Sequence, residues 1–151
     1  IKMANVVPYS FAQELLKGQH NFPTNTIYIA LYEAGSGAPY AVSDTAYSSG
    51  TANQVSGTGY TTGGKVLQNG TVANQTSVAT VTFDTISWTS ATFGAAYGVL
   101  YNNSSSDKLI VVLDFGGTKS CSNGTFTITF PSTSSSGPGA AGTNSLISIS
   151  S

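Results

Sequence analysis

"TIYIALYE", residues 26–33, alternates two apolar sets, Ile27, Ile29 and Leu31 against Tyr28, Ala30 and Tyr32. A period of two sends successive side chains to opposite faces of a strand. Because both sets are apolar, both faces must be covered, which predicts a central strand or one pressed against a helix.

On its N-terminal side, after a turn at "HNFPTN", "SFAQELLKG" (10–18) predicts one short helix. Ser10 reads as its N-cap with Gln13 closing a capping box, and Gly18 reads as the C′ stop. Phe11 and Leu15 share a face, and a helix of about two turns needs that face docked to be stable.

On the C-terminal side more period-two runs follow: "SVATVTFD" (77–84), "TFGAAYGVLY" (92–101), "KLIVVLDF" (108–115), "TFTITFP" (125–131) and "SLISIS" (145–150). Weaker strands are expected at 65–69 and 86–89, and "NNSSSD" between 101 and 108 reads as a hairpin connection. Residues 34–64 carry isolated aromatics and no period, which predicts an irregular arm reaching a neighbour. "STSSSGPGAAGTN" (132–144) is low-complexity and reads as a flexible loop. Six to eight strands with turn signals between them predict one mainly β domain over 1–151, an antiparallel, jelly-roll-like β-sandwich with one short N-terminal helix.

Composition limits the function classes. Charged residues are 7% of the chain, against about 25% in ordinary soluble domains. Five Lys, no Arg and a net charge of −1 leave no basic stripe for nucleic acid or an anionic membrane. Weak self-repulsion favours association with copies of the same chain. The single Cys121 excludes an intrachain disulfide and a multi-cysteine zinc site. No apolar run is long enough to span a membrane as a helix. Met3 reads as a natural start with no signal-peptide core, which predicts synthesis in a cytoplasm.

"GYTTGGKV" (59–66) matches most of the phosphate-cradling G-x-x-x-x-G-K-[ST] loop, but Val66 stands where magnesium needs Ser or Thr. A weakly apolar "ANQVSGT" precedes it, and Asn69-Gly70 breaks any following helix, so it reads as a glycine-rich turn that delivers Tyr60 to a packing contact. His20 is the only histidine, and its place after the helix stop favours a structural role over catalysis. The six acids (Glu14, Glu33, Asp44, Asp84, Asp107, Asp114) are scattered, which favours turn capping over a glycosidase pair such as Asp84 with Asp114. Trp88 with the tyrosines could form a sugar-stacking platform, while core or interface packing is the commoner use of such residues. No catalytic, metal or cofactor residues are assigned.

In order along the chain, "MANVVPYSFAQELLKGQHNF", "TIYIALYE", "AYSSGTANQVSGTGYTTGGKVL", "ISWTSATFGAAYGVLYNNS", "LIVVLDFGGTKSCSNGTFTITFP" and "LISIS" resemble small virion structural proteins of tailed bacteriophages. The resemblance covers most of residues 3–149. Its most specific part is Y-x-x-G-x-x-N-x-V-S-G-x-G-Y-x-x-G-G, carried by Tyr47, Gly50, Asn53, Val55, Ser56, Gly57, Gly59, Tyr60, Gly63 and Gly64. The 132–144 stretch departs from the shorter C-terminal form.

The resemblance implies a non-enzymatic, β-rich virion component. The leading expectation is a capsid decoration (cement) protein that contacts itself, as a homo-oligomer such as a trimer, and the major capsid protein. A tail or fibre-associated subunit is the alternative, followed by a carbohydrate-binding module at the host surface. Tyr9, Phe11, Phe22, Tyr47, Tyr60 and Trp88 are the expected interface residues, within an N-terminus up to Phe22 and the 34–64 segment.

Overall fold

The computed structural model describes residues 6–75, 78–130 and 147–150. The elements run α1 (Tyr9–Leu16), β1 (Ile27–Tyr32), β2 (Lys65–Val66), β3 (Thr71–Gln75), β4 (Val78–Thr82), β5 (Ile86–Asn102), β6 (Lys108–Ile128) and β7 (Ile147–Ser150). They form two open sheets, one in the order β2-β1-β5-β6 and one in the order β3-β4-β7, and every pairing is antiparallel. The chain is therefore mainly β, with antiparallel sheets and one short helix. The low-complexity 132–144 stretch lies outside the described residues.

β1 sits between β2 and β5, and its two apolar sets enter different clusters. Ile27, Ile29 and Leu31 join a large core with Phe11, Phe22, Phe83, Trp88, Phe93 and Phe126, so residues from both sheets meet there. Ala30 and Tyr32 join a second cluster with Tyr40, Val99, Tyr101, Leu109 and Val112, against which Tyr28 and Tyr47 pack. The doubly apolar alternation has its physical cause in these two covers.

Where separate strands were expected at 86–89 and 92–101, and at 108–115 and 125–131, the chain forms two long strands, β5 and β6, paired along their length. Bulges hide this continuity from a period-two reading. Register breaks between Trp88 and Ala91, where Ser90 takes φ 50°. The residues facing the large core are even-numbered before this break (Ile86, Trp88) and odd-numbered after it (Ala91, Phe93, Ala95). One extra residue reverses which side chains face inward, and the bulge uses that reversal to keep the apolar set buried. A second break lies between Ala95 and Tyr97, opposite Gly116 (φ 71°) and Gly117 (φ 120°) on β6. β3 was not anticipated at all, since "TVANQ" alternates only weakly.

Residues 34–64 are irregular, as expected, and dock on their own chain. Isolated bridges tie Gln54 to Tyr32, Ala46 to Lys108 and Thr58 to Thr92. Tyr40 is buried in the second cluster, where its hydroxyl hydrogen-bonds Thr51 Oγ1 at 2.8 Å and accepts from Ser48 N at 2.9 Å. The helix also departs in detail from its expected capping. Pro8 occupies the N-cap, and Ser10 falls inside the first turn with its buried Oγ unpartnered among the described residues. Gly18, at φ 68°, ends the helix as expected.

Candidate functional site

The glycine-rich turn at 59–64 extends the sheet where β2 runs out. β2 pairs with β1 only at Tyr28 and Ile29. Beyond that point Tyr60 Oη accepts from Leu31 N at 2.9 Å, and Val55 N donates to Leu31 O at 2.9 Å. A phenol thus takes the place of a strand carbonyl on a fully buried residue. Gly59 (φ 82°) lets the turn approach Ala91, and Gly64 (φ 82°) lies so close to β1 that any Cβ would overlap Ile29 O. Lys65 lies in β2 and donates Nζ to Ser87 O at 2.7 Å, over the Trp88 ring. No helix follows, so the amides that cradle a phosphate are missing and the loop is a packing device.

The six expected interface residues separate into two environments. Phe11, Phe22 and Trp88 are core residues, Trp88 being 2% exposed. Tyr60 packs against that core, with its ring edge-on to Phe93 at 5.6 Å. Burial pushes its hydroxyl up to about 12. Tyr47 stacks on Tyr101 at 4.1 Å and accepts from Gln54 Nε2 at 2.9 Å. Burial likewise raises the pKa of Tyr47. Tyr9 alone of the six projects outward, at 77% exposure.

Tyr9 belongs to an apolar surface around α1. Leu16, seven positions on and so on the same side of the helix, is 92% exposed. Val7 and Val42 are exposed beside the helix start, where Tyr9 N donates to Val42 O at 2.9 Å. Leu16 and Val42 were missed from the sequence. The i, i+7 spacing of Tyr9 and Leu16 was available as a signal, whereas the placement of Val42 depends on how 34–64 folds back.

Beneath the other face of α1 lies a buried polar group. Glu14 Oε2 accepts from His20 Nε2 at 3.0 Å, and Glu14 Oε1 accepts from Lys108 Nζ at 2.9 Å. Burial by itself would raise the Glu14 pKa, but hydrogen bonds and charge from Lys108 and His20 outweigh it and hold the carboxyl below its ordinary value. His20 Nδ1 meets Asn102 Nδ2 at 3.1 Å, so His20 has orienting partners that the sequence did not disclose. Both ring nitrogens are engaged and the side chain is enclosed. Between α1 and the second sheet is an apolar groove of about 440 Å³ that includes Phe11, Leu15, Phe22, Val72 and Val81.

The four aspartates bond groups of nearby turns and loops. Asp44 accepts from Ala41 N, Asp114 from Gly116 N, Asp84 from Asn69 Nδ2 and Asp107 from Asn103 Nδ2. Among the described residues no three His, Cys, Asp or Glu side chains converge as a metal site, and no helix is long and apolar enough to cross a membrane. The chain matches no protein-family model, no curated protein and no solved structure.

Proposed function

We propose that this chain is a structural subunit of a phage virion, a decoration protein that reinforces the capsid by adding contact area. The observation that carries the reading is the uncharged apolar surface of α1, where Tyr9 and Leu16 stand 77% and 92% exposed on one side of a helix whose opposite side is docked. Large aromatic and aliphatic side chains held out on a rigid element are the usual anchors of protein interfaces. The ordered resemblance to phage virion proteins and the scarcity of surface charge support the same reading. In it the two sheets are the halves of a jelly-roll-like sandwich, the partners are other copies of the chain and the major capsid protein, and the location is the virion. A sugar platform centred on Trp88 is disfavoured, because stacking needs an exposed ring and Trp88 is a core residue.

The test mixes the protein with capsids that lack it and images them, with solution mass measured alongside. Saturable occupancy at regular lattice positions is expected. Burying each of Tyr9 and Leu16 contributes about 1.5–3 kcal/mol, so Tyr9→Ser with Leu16→Asp should weaken binding about a hundredfold or more while leaving the fold intact. Binding unchanged by the double substitution would reject α1 as the contact face. A stable oligomer that ignores capsids would reject decoration in favour of a tail or fibre subunit.

A further inference from the structure

The polar atoms beneath α1 form a chain that runs from an exposed turn into the interior, and its hydrogen-bond direction is set from the exposed end. Asn21 N–H donates to Asn25 Oδ1 at 2.8 Å, which fixes that atom as the oxygen. Asn25 Oδ1 and Gln19 O then face Asn102 Nδ2 at 2.9 and 3.0 Å, and only an amide nitrogen suits two oxygens. The same nitrogen meets His20 Nδ1 at 3.1 Å and shares its two hydrogens among three acceptors; a protonated Nδ1 would face a donor, so the ring proton sits on Nε2 and is donated to Glu14. On the far side of its amide, Asn102 Oδ1 is buried with no hydrogen-bond partner among the described residues.

We infer that this chain carries a proton-coupled switch: a second proton on His20 turns the Asn102 amide over and exchanges its bonds to Gln19 and Asn25 for one to His20. Protonated Nδ1 is a donor and cannot face an NH2 group at 3.1 Å. Rotating the amide by half a turn brings the unpartnered Oδ1 onto Nδ1–H and gives it its missing bond. The same rotation sets an oxygen against Gln19 O and Asn25 Oδ1, so both of those bonds are lost.

The ionisable groups in the network are Glu14 from α1 and Lys108 from β6, and the aromatic neighbours of the ring are Phe11 and Phe22. Asp107, in the hairpin connection, bonds Asn103. Glu14 faces Nε2 in both protonation states, so the change is confined to the Nδ1 side. The proton comes from solvent and no other group is consumed. The inference stands whether or not the protein coats a capsid.

The experiment is a titration of the wild-type protein by nitrogen-15 NMR from about pH 8 to pH 5, the span in which imidazoles ordinarily titrate. At the alkaline end His20 should be the Nε2–H tautomer. On acidification the ring, the Asn102 NH2 and the Asn21 amide, whose acceptor Asn25 Oδ1 loses its second partner, should shift with one midpoint. His20→Gln should remove the pH dependence of the Asn102 and Asn21 signals. An Nδ1–H tautomer at pH 8 would overturn the inference. So would a ring that does not titrate in this span, or one that titrates while Asn102 and Asn21 stay still. The wild-type titration decides alone if the variant fails to fold.

Discussion

Replacing Tyr60 by Phe isolates one oxygen atom. The ring and its contacts with Phe93 and Trp88 remain, but Leu31 N–H loses its acceptor in a place without solvent. An orphaned buried donor costs about 1–3 kcal/mol. For a chain of this length each kcal/mol lowers Tm by about 2–4 °C, so Tyr60→Phe should melt roughly 2–12 °C lower. A second signature lies in alkali. Folding raises the Tyr60 pKa from 10.0 to about 12. The unfolded chain therefore releases this proton first, and stability present below pH 10 is lost as the pH rises towards 12. Tyr60→Phe should show a shallower alkaline loss, by up to about 1.4 kcal/mol per pH unit. A slope remains, because burial also raises the pKa values of Tyr32, Tyr47 and Tyr101. Thermal melts at neutral pH and urea titrations between pH 9 and about 11.5 measure both effects. A variant melting within about 1 °C of wild type would refute the idea that the phenol completes the ladder.

Gly64→Ala should destabilise by at least about 2 kcal/mol, because a Cβ overlaps Ile29 O and the backbone sits at φ 82°; urea unfolding measures it. Glu14→Gln should lower stability at neutral pH by about 1–3 kcal/mol, read from Tm. The folded Glu14 pKa lies below 4.5, so its contribution is present above that pH and fades as the pH falls through the folded value; the variant should accordingly be less acid-sensitive. Calorimetry with ATP should be flat for wild type and for Lys65→Ala alike, since Lys65 Nζ is bonded to Ser87 O; an ATP signal that the substitution abolished would restore the phosphate-loop reading.

The sequence was most legible where a strand is straight and its two faces differ. β1 and the Phe126–Phe130 run show this, with Phe126 and Phe130 buried and the threonines between them exposed. It was least legible where the backbone changes phase. "GGTKSCSNG" reads as turn chemistry, yet Gly116, Gly117 and Asn123 only bend a strand that stays paired. The 34–64 segment resisted because its order comes from single residues, Tyr40, Tyr47, Val55 and Tyr60, docked on a distant sheet without a period of their own. His20 lies six residues from Glu14 and 82 from Asn102, separations that carry no signal along the chain. Ser10 misled because the helix starts earlier than its apolar run, with Pro8 at the N-cap and Tyr9 as the first helical residue.

The continuous β5–β6 hairpin also implies an order of assembly. Its strands are joined by a short connection around Asn103–Ser105, so its ends meet at small loop-closure entropy, and it can form before anything else is in place. β1 must then cross a long stretch of chain to reach β5, and the turn bearing Tyr60 gains its acceptor role only once Leu31 is there. Refolding followed by pulse-labelled exchange should therefore protect Leu100 and Val111 first and Leu31 last. The slow step belongs to the 34–64 cover, the part of the chain with the least regular structure.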